Sequence, residues 1–217
     1  MKKSREPFRF FDRVHLRELT GIKAKNLKEL VDILKAAPDS IVYYHTHHFL
    51  EEHHHLTPEP ANDFAVWVSD VLGEEILGEK LASLAMLEFP TMGALRDRII
   101  NVIEQHISSG KELRKVPEGK EFYFMKWVSL VLPTTRVARD LREFAEALGT
   151  LSLGSLYFHI IESRLRTCKV SNDFSVWLAD SLGEQELAEV VAKLDPYTYT
   201  LEGVRSQLIK LMAKRIE

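Results

Sequence analysis

The sequence has one cysteine, Cys168, in 217 residues. A lone thiol forms no internal disulfide, and no C-x-x-C pair is present to grip a metal. The expected setting is therefore a reducing one, the cytoplasm. No run approaches the roughly 18 apolar residues of a membrane-spanning helix. The charged opening Met1-Lys2-Lys3-Ser4-Arg5-Glu6-Pro7 leads into no apolar h-region, so no signal peptide is read there. Asn and Gln number only four and three beside abundant Glu, Lys and Leu, a bias associated with thermophiles. A basic excess is missing too: the net charge is -3 and the pI about 6.3, which argues against a general nucleic-acid binder. There is no G-x-S-x-G, no phosphate-binding glycine loop and no H-E-x-x-H, and no spacing of Ser, His and Asp singles out a triad.

Against these absences stands one stretch that occurs twice. Asn62-Asp63-Phe64-Ala65-Val66-Trp67-Val68-Ser69-Asp70-Val71-Leu72-Gly73-Glu74 returns as Asn172-Asp173-Phe174-Ser175-Val176-Trp177-Leu178-Ala179-Asp180-Ser181-Leu182-Gly183-Glu184, with nine of thirteen positions identical. Such identity around a residue as scarce as Trp indicates a tandem duplication. The halves read as repeat 1 over 7–109, a charged Gly- and Pro-containing linker over 110–120, and repeat 2 over 121–217.

Each repeat opens on alternating apolar residues, Phe8 and Phe10 then Val14 and Leu16, matched by Phe122, Phe124, Val128 and Leu130 at an offset of 114. Period two predicts short extended segments, which could pair between the repeats, with a short helix as the rival reading. Helices are expected next. One starts at Thr20 (Thr134 in the second copy), with Ile22, Leu27, Leu30, Val31 and Leu34 on its buried face. Another runs from Asp39 or Ser40 through Tyr43-Tyr44-His45, and its counterpart passes through His159. The duplicated stretch forms a third, capped by Asn62 or Asp63 and ended by Gly73. A fourth follows from Glu74, and a fifth over Met92–His106 is capped by Thr91, its copy by Thr200. The expected architecture is mainly α: two homologous helical repeats packed about a pseudo-twofold axis, with short extended segments at the start of each.

Six of the nine histidines lie between His45 and His55. At helical spacing His45, His48, Glu52 and His55 share one face, a donor set suited to a divalent Zn, Fe, Mn or Ni ion. The second repeat offers His159, Glu162 and Arg166 at the places of His45, His48 and Glu52, and an arginine would repel a cation, so only repeat 1 can hold such a site. The competing reading is a solvated polar helix end. The one histidine common to both repeats, His45 and His159, points elsewhere. Asp63 and Asp70, with Asp173 and Asp180, could bond it across two helices as a structural polar network or line equivalent ligand sites, unless Asp63 and Asp173 are simple caps. Arg96 and Arg205, also repeated, could meet a small anionic ligand or a carboxylate of a neighbouring helix. Trp67, Trp127 and Trp177 read as core or interface anchors.

The elements Thr20-Gly21 before a Lys-rich helix, Tyr43-Tyr44-His45, Asn62-Asp63-Phe64-x-x-Trp67, Leu72-Gly73-Glu74 and Leu201-Glu202-x-x-Arg205 resemble a prokaryotic family catalogued only as a domain of unknown function. The resemblance covers nearly the whole chain and implies no activity and no residue roles. The sequence thus favours a non-enzymatic protein-interaction or regulatory protein, through a protein partner or self-association, with no cofactor expected. A metal-binding protein using the His-rich helix, with a metal-dependent hydrolase or oxidase as its enzymatic form, and a binder of small anions are the alternatives.

Overall fold

The structure, a computed structural model, describes residues 3–52, 62–110, 114–167, 169, 171–194 and 199–216. Two strands of 17 residues, β1 (Phe8–Ala24) and β2 (Phe122–Ala138), form a two-stranded sheet. The Thr20 hydroxyl donates to Phe124 O and the Thr134 hydroxyl to Phe10 O, both at 2.7 Å, so the strands run antiparallel. This corrects the expectation of a mainly α fold with short extended segments: the chain is α/β, and each strand is far longer than the alternating residues that signalled it. The reason lies at Thr20 and Thr134. Both were read as helix caps, yet both stay in the strand, where their hydroxyls bond across the sheet. The helices start later, capped by Asn26 and Asp140. Pro133 sits inside β2 without harm, because a strand with one neighbour has an edge that needs no N–H.

The remaining elements are α1 (Leu27–Ala36), α2 (Asp39–Glu52), α3 (Asp63–Val66), α4 (Glu75–Ala82), α5 (Met92–Ile107), α6 (Leu141–Leu148), α7 (Leu153–Tyr157), α8 (Ser163–Thr167), α9 (Asp173–Trp177), α10 (Gln185–Ala192) and α11 (Leu201–Ile216). Among the described residues a 3-10 turn, Met86–Glu88, precedes α5, and three π-helical turns interrupt the helices, Trp67–Val71 after α3, Phe158–Glu162 between α7 and α8, and Leu178–Leu182 after α9. The last ends at Gly183, whose φ of 73° is the left-handed conformation that glycine adopts without strain.

The described residues form two compact units. The C-terminal unit joins residues up to Val14 with those from Ser129 onward. The N-terminal unit joins His15–Phe49 with those from Asn62 to Val128. Each strand therefore begins in the unit made by the helices of the other half of the sequence. In the C-terminal unit Phe8 meets Phe144, Phe174 and Trp177 at ring-centroid distances of 5.7, 5.4 and 5.6 Å. In the N-terminal unit Phe122 meets Phe64 at 5.1 Å and Trp67 at 5.7 Å. The indole N–H groups fasten the same arrivals: Trp177 Nε1 donates to Glu6 O at 2.8 Å, and Trp67 Nε1 to Lys120 O at 2.9 Å. Among the described residues no helix is long and apolar enough to cross a membrane.

Candidate functional site

Asn62 begins the arrangement. Its side-chain oxygen accepts the Ala65 N–H at 2.8 Å while its amide donates to Leu81 O at 3.0 Å, so one buried residue caps α3 and ties it to α4. Asn172 repeats both bonds, with Ser175 N–H and Val191 O. With asparagine as the cap, the neighbouring aspartate is left to other work. Asp63 Oδ2 lies 2.7 Å from His45 Nδ1, and Asp173 Oδ2 lies 2.8 Å from His159 Nδ1. On the far side of each ring, Nε2 accepts a strand N–H at 2.9 Å: Met125 for His45 and Phe11 for His159.

That geometry fixes the tautomer. An Nε2 that accepts an amide proton carries none, so the ring proton is on Nδ1 and is donated to the carboxylate. Both histidines are only 2% exposed. Burial pushes the His45 pKa down, and the bond to Asp63 offsets this only in part. Burial pushes the Asp173 carboxyl up, but hydrogen bonds from His159 and Arg166, and the Arg166 charge, overcome it and hold the group below its ordinary value. With both nitrogens engaged, neither imidazole has a lone pair for a metal or for taking a proton from a nucleophile. Each relay instead does what a third strand would do, satisfying an outward N–H of the sheet from a helix.

The other sequence candidates fall as follows. His48 Nδ1 bonds Tyr44 O at 3.0 Å, and Nε2 stands 3.6 Å from Asp63 Oδ1. The Glu52 side chain and His55 lie outside the described residues. Among the described residues no group of three or more His, Cys, Asp or Glu side chains is placed to hold a metal ion. Asp70 and Asp180 lie within π turns, exposed and not bonded to the relay histidines, without a hydrogen-bonding partner among the described residues. Arg96 Nη1 donates to Ala37 O at 2.7 Å and Arg205 Nη1 to Leu148 O at 3.1 Å, so each guanidinium closes the C-terminal end of a helix, α1 or α6. Arg205 also pairs with Glu202.

Sequence reasoning does not single out His47 within the His-rich helix. It is fully buried, with Nδ1 on the Thr46 hydroxyl at 2.7 Å and Nε2 without a partner among the described residues, and burial lowers its pKa to about 3. Tyr43 lies 4.9 Å from its ring, and Trp127 lies 5.3 Å from Tyr43. The signal was the counterpart at an offset of 114, the apolar Ile161. At the same offset Trp127 corresponds to Arg13 and His48 to Glu162. In the C-terminal unit those two form a salt bridge, so one unit is aromatic where the other is ionic.

A groove of about 460 Å³ opens beside the second relay, in the C-terminal unit, between residues 6–8 and 169–181. It was not legible in the sequence, because its walls come from segments more than 160 residues apart.

These features define a class: an α/β protein in which histidine relays anchor a long two-stranded sheet to helices. The chain belongs to the family of unknown function DUF5752, which it matches over residues 5–213. It is also similar to the solved structure of OrfY from Thermoproteus tenax, at 28% identity and a TM-score of 0.81, covering 98% of this chain and 96% of that one. No curated protein matches it.

Proposed function

We propose that the protein is a non-enzymatic interaction protein that docks another protein chain on its sheet. The carrying observation is the apolar surface of the strands within the N-terminal unit: Leu16 is 54% and Leu19 59% exposed, with Ile22, Tyr123 and Val128 exposed beside them. Large apolar side chains in a water-facing sheet cost solvation that a docked partner removes. The strand edges supply backbone groups for such a partner. The relays support the same reading, because they hold the sheet to its helices while leaving its apolar residues outward. The repeated motif supports a duplicated scaffold rather than a reaction centre.

The test is affinity capture from the native host with wild-type protein and with Leu16→Lys/Leu19→Lys, followed by reconstitution with the purified partner. The reading requires a defined complex whose affinity falls at least about tenfold in the variant while the melting temperature is kept. Equal capture by both proteins, or assembly only with a second copy of this chain, overturns it.

A further inference from the structure

The groove in the C-terminal unit carries an inference beyond the docking surface. At about 460 Å³ it falls in the range of small-molecule sites. Its lining divides in two. Asn172, Asp173 and Trp177 are engaged in internal bonds that hold the fold, and their counterparts Asn62, Asp63 and Trp67 are the same residues. Lys169, Ser171, Ser181 and Glu6 are different. At the offset of 110 that relates Asn62 to Asn172, and of 114 for Glu6, the other half has Glu59, Ala61, Val71 and Lys120, so the two hydroxyls are unique to this groove and the charges are exchanged.

The charged side chains of Lys169, Glu6 and Asp180 form no ion pair among the described residues, with each other or with anything else, although all three line one groove. Phe8 and Trp177 close it with buried aromatic surface, and half-exposed Val176 adds an apolar lip. Unpaired charges of both signs over an aromatic floor match a molecule that carries both charges and an apolar body.

We propose that this groove binds a small zwitterion of amino-acid to dipeptide size. Its ammonium group sits against Glu6 and Asp180, its carboxylate on Lys169, with Ser171 and Ser181 as hydroxyl partners and its side chain over Phe8 and Trp177. No bond is made or broken.

The experiment is isothermal titration of the full chain with the twenty L-amino acids and their glycyl dipeptides. A matched trio then separates the charges: L-leucine, isoamylamine, which lacks the carboxylate, and 4-methylpentanoate, which lacks the amine. The expected result is saturable binding by apolar members of the panel, with both single-charge analogues at least about tenfold weaker. Lys169→Glu and Asp180→Asn should each weaken binding by about tenfold with an unchanged melting temperature, while Lys193→Glu, outside the groove, should not. No binding across the panel, equal binding of a single-charge analogue, or binding indifferent to both groove variants overturns the proposal. None of these outcomes bears on docking at the sheet.

Discussion

His45 Nε2 accepts the Met125 amide proton at 2.9 Å while Nδ1 meets Asp63 Oδ2 at 2.7 Å, so one buried ring connects a helix cap region to a strand 80 residues further on. His45→Ala leaves the part-buried Met125 N–H without its acceptor, takes from Asp63 its shortest bond and opens a void. The expected loss is about 2–4 kcal/mol, read by urea unfolding. His159→Ala should cost a similar amount through Phe11 and Asp173. A cycle with Asp63→Ala should show strong coupling, and additive losses would contradict the relay.

Acid should destabilise the protein well above the carboxylate range. His47 has a folded pKa of about 3 against an ordinary 6.5, and His45 is lowered as well. Below 6.5 the unfolded chain takes up protons that the folded one refuses. Stability is complete above that pH and falls as pH drops, by about 1.4 kcal/mol per unit for His47 alone down to about pH 3. Glu121, held at about 2 chiefly by the Lys23 hydrogen bond, keeps its contribution until far lower pH. Denaturant midpoints at pH 7.5, 6, 5 and 4 should fall steadily in wild type and more gently in His47→Leu.

The asparagine caps act twice, and their variants should show it. Asn62→Asp keeps the oxygen that accepts Ala65 N–H but loses the donor to Leu81 O, whereas Asn62→Ala loses both. Expected costs are about 1–2 and about 2–3 kcal/mol, with Asn172 behaving alike. Equal costs for the two substitutions would show that the amide donor contributes nothing.

Gly154→Ala tests a close backbone approach. An added Cβ would lie 2.5 Å from Arg13 O and 2.8 Å from Asp12 Oδ1. The strand must then shift off α7, with an expected loss of about 1–3 kcal/mol in a thermal or urea melt. The same change at Gly149, where the nearest contact is an ordinary 3.5 Å, should be far milder.

Much of this was legible in the sequence where one residue type announces one job. Gly73 after the last apolar residue marks the helix end and takes a left-handed φ of 70°, and the fifth helix with its Thr91 cap is found at Met92–Ile107. His45 with Asp63 could be named as partners, since a buried imidazole in both halves needs one. Met125 could not, because the second bond goes to a backbone N–H that carries no side-chain signature. The length of β1 was hidden because only its opening buries one face. Past Val14 both faces meet water, so the alternation that marks a half-buried strand fades. The groove was hidden because Glu6 and Lys169 come together only after folding.

The exchange of strand openings between the units orders events during synthesis. Helices α1–α5 lack their buried phenylalanines until Phe122 and Phe124 leave the ribosome, only a short stretch after α5. The opening of β1 waits much longer: Phe8 and Phe10 find Phe144 and Phe174 only when most of the chain has emerged. The N-terminal unit is therefore completed first. For that interval the opening of β1, with Phe8, Phe10 and Phe11, is an apolar stretch without a home, and it is the segment a chaperone would have to shield.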